Sequence, residues 1–451
     1  MKNIKNISIT KVLMLTVVSV ALVGCGGVDD LEPVFPQEEE MVDPGEPQEI
    51  PEVKSVINFE NPKQLIDVFY YDVKQGNRVI TSLDRANEIY NIDDANGMRI
   101  PIFGNIGSPA HPSEGVVVES EYAAILTSID FAKQVRGNRP FSLFASKKLE
   151  NQNSFPAWVK DANGIIPAKY AILIADFIEF MNSKGHDIEY LGIDNEFVFN
   201  EGKISPQKYI DTIDELKLLA VARGFEMPVL VGYEDFGPDK RNWVQNLLNL
   251  GGGDKMEIYG THYYPEFRPY QRLLNDLSLI GDTPFWSTEP HWDSKNNVDD
   301  LNEAEAALVT LWQQTDNNMS GFMWWNYEIN NGIRSKLMRM ASVPLLGARP
   351  IDISDIDGKE IIDLGKLSTR AFMEDNTITV YAVNFSGDIL QNYGFQLEGA
   401  SIKDGIEAIQ WTDISGADGE SSSLSALGDS NDIFGLTLPN RSITRFVFTK
   451  Q

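Results

Sequence analysis

The chain runs to 451 residues and carries 38 Lys and Arg against 66 Asp and Glu, a formal net charge of −28. So negative a body repels nucleic acid and gains nothing at an anionic lipid surface. Cys25 is the only cysteine, which excludes an intrachain disulfide.

Lys2, Lys5 and Lys11 precede an apolar run from Val12 to Val23, too short to span a bilayer and suited to the core of a signal peptide. Leu22, Val23, Gly24 and Cys25 then resemble a bacterial lipobox. Residues 1–24 are therefore read as a lipoprotein signal and Cys25 as the lipidated residue, with an ordinary secretory signal as the alternative. Residues 25–54 follow as a tether. Between Asp29 and Glu52 they hold ten acids and no base, interleaved with Pro33, Pro36, Pro44, Pro47 and Pro51, a composition that buries no core. An exported lipoprotein at the outer membrane or cell surface is expected, held to the membrane only through Cys25, with a periplasm-facing orientation left open.

Residues 55–348 alternate short apolar runs with amphipathic helical stretches, as repeated βα units do. The first run, near Leu65 to Tyr71, is the least regular. Others follow at Met98–Phe103, Phe141–Ala145, Ile188–Ile193, Pro228–Gly232, Met256–Tyr263, Pro284–Ser287 and Gly321–Trp325. Helices are predicted around Ser82–Tyr90, Glu119–Val135, Pro167–Lys184, Pro206–Ala222, Lys240–Leu250, Pro269–Leu279 and Asn302–Gln314. Eight runs with intervening helices predict a (β/α)8 barrel. A doubly wound open sheet is the structural alternative, although no glycine-rich nucleotide turn accompanies it. From 349 to 451 the pattern changes to short alternating strands, among them Ile361–Leu364, Ala371–Glu374, Ile378–Asn384, Gly394–Leu397, Ile406–Trp411 and Thr444–Thr449. A β-sandwich is expected there, with Ser421–Ser425 as a turn and an added strand from residues 55–60.

Catalytic groups of a (β/α)8 barrel sit at the carboxyl ends of its strands. The unusual polar residues fall there. Arg99 lies inside the second run, Asn195 and Glu196 close the fourth, His262 and Tyr264 the sixth, and Glu289 the seventh, while Trp324, Trp325 and Asn326 close the eighth. Two strand-end glutamates are the minimum equipment for retaining glycoside hydrolysis, in which one carboxyl protonates the leaving oxygen and the other attacks the anomeric carbon.

The Asn195–Glu196 pair, with Glu289 three strands later, resembles the glycoside hydrolases of clan A. Phe155, Pro156, Ala157, Trp158, Val159 and Lys160, followed by a helix and then that pair, resemble glycoside hydrolase family 30. So does the tail Leu438, Pro439, Asn440, Arg441, Ser442, Ile443, Thr444, which is similar to the last strand of that family's β-sandwich. Agarases and porphyranases of family 86 share the barrel-plus-sandwich plan and stay open, with sulfated galactans as their substrates. Phe197 stands where family 30 usually has proline, and Val68, Phe69, Tyr70, Tyr71 replace its glycine-rich first-strand motif. The resemblance implies Glu196 as acid/base and Glu289 as nucleophile. It also implies Arg99 and Tyr264 as the groups that keep Glu289 charged and aimed, Asn195 on the sugar 2-hydroxyl, His262 in support, and no metal or other cofactor. The implied partner is a β-linked polysaccharide or oligosaccharide, cleaved by a monomer.

Other readings compete for the same residues. Arg99 is also what a barrel-plugging ion pair needs, and His262 what a hydrogen-bonded core needs. His111, His262 and His291 fall on strand-end loops and invite a zinc reading, yet no pair has metal-site helical spacing. Phe155, Trp158, Tyr233, Tyr263, Trp286, Trp292, Trp324, Trp325 and Tyr327 are aromatic rings on which sugar C–H faces pack. Trp158, His291, Trp292, Trp324, Trp325, Asn326 and Arg268 are the candidates for substrate contacts, with Glu234 and Arg334 beside them. Trp324 and Trp325 are adjacent and face opposite ways, so one of them floors the subsite and the other is core. A second class of function, a surface glycan-binding lipoprotein without catalysis, needs the anchor, the tether and the aromatics but not the two carboxylates together.

Overall fold

The computed structural model describes residues 49–74, 78–103, 110–148, 155–196, 204–235, 243–264, 270–290, 300–325, 327, 332–342, 345–355 and 364–451. Ile50–Gln451 form one compact unit. Eight parallel strands close a barrel in chain order: Val68–Asp72, Gly97–Ile102, Ser142–Lys147, Tyr190–Gly192, Val229–Asp235, Ile258–Tyr263, Phe285–Pro290 and Met319–Phe322. Gly321 lies opposite Val68 and shuts the ring. The barrel is the (β/α)8 architecture expected from the sequence.

The helices begin where local chemistry starts them. Ser205 Oγ accepts the Lys208 N–H before Pro206–Arg223, and Asp300 accepts the Asn302 and Glu303 N–H groups before Leu301–Thr315. The helix Ile333–Ser342 is an addition to those predicted. Leu301–Thr315 is buried along almost its whole length, with Trp312 against the barrel side and its ring 6.1 Å from Tyr381 of the β domain.

Strand alternation sorts the barrel side chains into two sets. Phe69, Phe322 and Trp324 join the large core beneath the helices. Val68, Tyr70, Phe144, Val231, Ile258, Trp286 and Met323 fill the barrel itself. Trp286 is the hub, with ring centres of Tyr190, Tyr70 and Phe144 at 4.7, 5.9 and 6.2 Å. Burying each such side chain contributes roughly 1.5–3 kcal/mol. Asp72, Glu234 and Glu289 sit at or next to the carboxyl ends of their strands.

The second domain is a nine-stranded sheet. Phe395 and Phe434, near one edge, meet Phe446, toward the other, at 5.4 and 5.2 Å, so the sheet folds over its own apolar face into two layers. Glu52–Asn58 pairs with Arg349–Asp355 and with Leu390–Glu398, so residues 52–54 of the segment read as tether belong to a strand of this sheet. Ser421–Ser425 is not a turn: Glu420–Leu424 is an edge strand, paired to Ile406–Thr412 through backbone bonds while its three serines stay exposed. Arg349–Asp355 and Ile433–Leu438 are further strands that the sequence pattern did not reveal. Ile361 to Asp363 of the expected run at 361–364 lie outside the described residues.

Candidate active site

Arg99 organises the carboxyl rim of the barrel from inside its second strand. It is fully buried, and its side chain reaches seven groups from six strand ends, one of them His262 Nε2 at 3.4 Å from Nη2. Nη1 donates to Asp72 Oδ2 at 2.9 Å, to Thr288 O at 3.0 Å and to Glu289 Oε1 at 2.6 Å. Nη2 donates to Ser146 Oγ at 3.3 Å, to Asn195 Oδ1 at 3.0 Å and to Glu234 Oε2. Burial opposes the charge, but Glu234, Glu289 and Asp72 outweigh it and raise the guanidinium pKa. Arg99 is thus an ion-pair hub and a neighbour of Glu289 at once.

Glu289 and Glu196 come together at this rim. His262 Nδ1 lies 2.9 Å from Glu196 Oε1 and 3.4 Å from Glu289 Oε2. One oxygen of each carboxylate lies within 4.8 Å of the other. Tyr264 donates its hydroxyl proton to Glu289 Oε2 at 3.0 Å. Burial raises the Tyr264 pKa well above the ordinary value, and the charges of Glu289 and Glu196 push the same way, so the hydroxyl keeps its proton. For Glu289 burial pushes the pKa up, but His262, Arg99 and Lys74 together outweigh it and hold the carboxyl well below the usual range. Glu289 is accordingly an ionised carboxylate with both oxygens engaged, and Glu196 lies beside it, less buried.

A folded-state pKa below the ordinary 4.5 means that Glu289 contributes stability above about pH 4.5, lost as pH falls toward the lower folded value. Denaturation measured across that acid window should show a slope steeper in the parent than in Glu289→Gln by up to about 1.4 kcal/mol per pH unit. Equal slopes would show that Glu289 is not held ionised.

Several residues of the rim were not singled out by the sequence pattern. Lys74, two residues beyond the first strand, is buried and places Nζ against Asn195 Oδ1, 3.3 Å from Ser146 Oγ and 3.4 Å from Glu289 Oε1. Burial lowers its pKa, as does the charge of Arg99, while Glu289, Glu234 and Asp72 oppose them. Asp72 accepts the Lys74 N–H with one oxygen and Arg99 with the other. The clue to both is an acid and a lysine just beyond the first apolar run, Leu65 to Tyr71.

Glu234 is not a substrate contact. It is fully buried, bound to Arg99 and to Ser146 Oγ at 2.9 and 3.0 Å, and its carbonyl accepts the Glu196 N–H at 2.9 Å. Glu196 and Glu234 both have positive φ, 58° and 49°, a conformation that costs a non-glycine residue of order 1–3 kcal/mol. Gly192 makes room for Glu234, since a Cβ there would come within 1.7 Å of Glu234 Oε1. Gly192→Ala is expected to push Glu234 off Arg99, with a loss of roughly 1–3 kcal/mol in denaturation. Unchanged stability would show that Glu234 does not need the space left by Gly192.

The aromatic candidates divide. Phe155 packs edge-on to Tyr170, Tyr233 against Trp243, and Tyr327 against Phe69, all in the core, while Tyr263 donates to Gln313 at 2.6 Å. Trp158 is half-buried, its Nε1 donating to His111 O at 2.9 Å. Trp324 is buried with Phe322 on the helix side of the wall, and Trp325 shares the inward parity of Met323, half-buried, with the Arg78 guanidinium 4.8 Å over its ring. His291, Trp292, Arg268 and Asn326 lie outside the described residues, as do Cys25 and the side chain of Arg334.

The metal question has a physical answer in the charges. His111 is paired with Tyr122 at 2.9 Å, and burial, with Lys147 nearby, lowers its pKa to about 4. The grouping with metal-like spacing among the described residues is Glu196, His262 and Glu289. Two buried cations, Arg99 and Lys74, already share Glu289 Oε1 and would face any added dication. The donor set does not fit a metal.

No protein-family model and no curated protein matches the chain. Solved structures do match its fold. A glycoside hydrolase family 30 endoxylanase from Clostridium papyrosolvens C71 aligns with 17% identity over 88% of this chain and 100% of that one, at a TM-score of 0.64. A conserved exported protein from Bacteroides fragilis aligns at 14% identity over 87% and 100%, TM-score 0.62, and a family 39 β-xylosidase from Caulobacter crescentus at 12% over 88% and 100%, TM-score 0.59. At these identities the likeness establishes the fold, a (β/α)8 barrel with a β domain.

Proposed function

We propose that this protein is a retaining β-glycoside hydrolase acting on a polysaccharide or oligosaccharide. The observation that carries the reading is the pair Glu196 and Glu289, bridged by His262 at the strand ends with oxygens inside 4.8 Å. Retaining enzymes hold their carboxyl groups roughly 5 Å apart, whereas inverting ones need about 6.5–9.5 Å to admit a water. Glu289, kept ionised by Arg99 and aimed by Tyr264, attacks the anomeric carbon as Glu196 protonates the departing oxygen. Water then enters on the leaving-group side, gives its proton to Glu196 and breaks the glycosyl–Glu289 bond, so the anomeric configuration is kept. Asn195 holds the 2-hydroxyl, and Trp325 is the ring under the sugar.

Xylan heads the list of substrates because family 30 xylanases are among the structures with this fold. The lipid-anchored export read from Leu22–Cys25 is part of the same proposal; Cys25→Ser is expected to lose incorporation of labelled fatty acid.

The test incubates a soluble form beginning at Glu49 with xylans, glucans, galactans, sulfated galactans and uronic polymers. Proton NMR follows the first anomer released. A β-product that later mutarotates supports the proposal; an α-product first sinks it, and binding without release favours the glycan-binding alternative. Release from sulfated galactan alone would favour the agarase and porphyranase type.

A further inference from the structure

Lys74 is a second buried cation in a site whose carboxylates already have Arg99. The chain is bent to deliver it: Asp72 Oδ1 accepts the Lys74 N–H at 2.7 Å, so the residue leaves the first strand with its side chain in the barrel mouth. An ammonium has three protons, and Lys74 has three acceptors within reach, Asn195 Oδ1, Ser146 Oγ and Glu289 Oε1.

The consequence falls on Asn195. Its Oδ1 receives both Lys74 Nζ and Arg99 Nη2, which fills the two lone pairs of a carbonyl oxygen with charged donors. Turning the amide over would place its NH2 group against two cations. The side chain is therefore fixed in one of its two orientations, with NH2 directed away from Lys74 and Arg99. Neither cation alone fills both lone pairs, and Arg99 is also shared among Asp72, Glu234 and Glu289.

The geometry points to Lys74 as a positioning residue that locks the Asn195 amide so that its NH2 serves the sugar 2-hydroxyl. This rests on the retaining-hydrolase reading. A lysine that merely balances buried acids would support Glu289 whatever the sugar carries at C2. A lysine that acts through Asn195 matters only when a 2-hydroxyl is present.

The experiment compares the parent, Lys74→Met, Lys74→Gln, Asn195→Ala and the double variant Lys74→Met/Asn195→Ala. The probes are 2,4-dinitrophenyl β-glycosides of xylose, glucose and galactose and their 2-deoxy counterparts. Lys74→Met is expected to lose about tenfold or more in kcat on the 2-hydroxy compound and under about threefold on the 2-deoxy one, and the double variant is expected to match Asn195→Ala. Lys74→Gln keeps a donor for Asn195 and should recover most of the loss. It also serves if Lys74→Met does not fold, since a Gln variant as impaired as Asn195→Ala overturns the idea. Equal losses on both compounds, or additive losses in the double variant, overturn it as well. If the parent cleaves none of these probes and none of the polysaccharides, the hydrolase reading has failed, and the lock is judged by itself. The Asn195 side-chain NH2 resonances should then move or broaden in Lys74→Met, and unchanged resonances reject it.

Discussion

Replacing Glu289 with Ala is expected to lower kcat on an aryl β-glycoside by at least about 10^4-fold while leaving glycan affinity within a few-fold of the parent. The group removed is the one with the most specific support: Arg99 at 2.6 Å on one oxygen, Tyr264 at 3.0 Å on the other, and burial that would otherwise keep it neutral. Azide makes the assignment stereochemical. In Glu289→Ala it can occupy the vacated space, form a bond to the anomeric carbon from that face and expel the phenolate, giving an α-glycosyl azide. In Glu196→Ala the glycosyl-enzyme still forms with an activated leaving group, and azide attacks it from the opposite face to give the β-azide. Opposite anomers from the two variants fix which carboxylate does which step. The same anomer from both, or parent-like turnover by Glu289→Ala, would reverse or remove the assignment, and a protein that only binds glycans would show no azide product at all.

The parts of this site legible in the sequence share one property: each polar residue lies inside an apolar run or within three residues of its end. Asn195, Glu196, His262, Tyr264 and Glu289 were found in this way, and the barrel brings them together. Arg99 was visible for the same reason, but not that it would pair with Asp72, Glu234 and Glu289 together, because those partners come from three separate strand ends. Lys74 was hidden because Asp72 redirects the backbone after an aromatic strand that ends without a regular pattern. Glu234 was misread for a related reason. An acid after an apolar run has the same pattern whether it faces solvent or a buried guanidinium, and what tells them apart is Gly192, 42 residues away in sequence, whose missing side chain leaves the space. The β domain shows the limit from the other side: Glu420–Leu424 has the composition of a turn and becomes a strand because Ile406–Thr412 offers it a free edge.

Arg99 carries the largest expected structural effect, because one side chain neutralises three buried acids. Arg99→Met leaves Asp72, Glu234 and Glu289 facing one another with Lys74 and His262 beside them, and breaking a buried pair on one side typically costs about 3–5 kcal/mol. Some of that penalty is avoided by taking up protons, so Glu289 is expected to become harder to ionise. Two readouts should therefore move together. Chemical denaturation should show the loss of stability, and the acid limb of kcat/KM should shift to higher pH, since Glu289 now needs a higher pH to lose its proton. Arg99→Lys separates charge from geometry. An ammonium restores a positive charge but not the planar fork that meets Asp72 and Glu289 from one nitrogen and Asn195 and Glu234 from the other. It should recover part of the stability and little of the rate. A stable Arg99→Met protein with an unshifted acid limb would show that Lys74 and His262 suffice for Glu289, and that Arg99 serves the barrel wall alone.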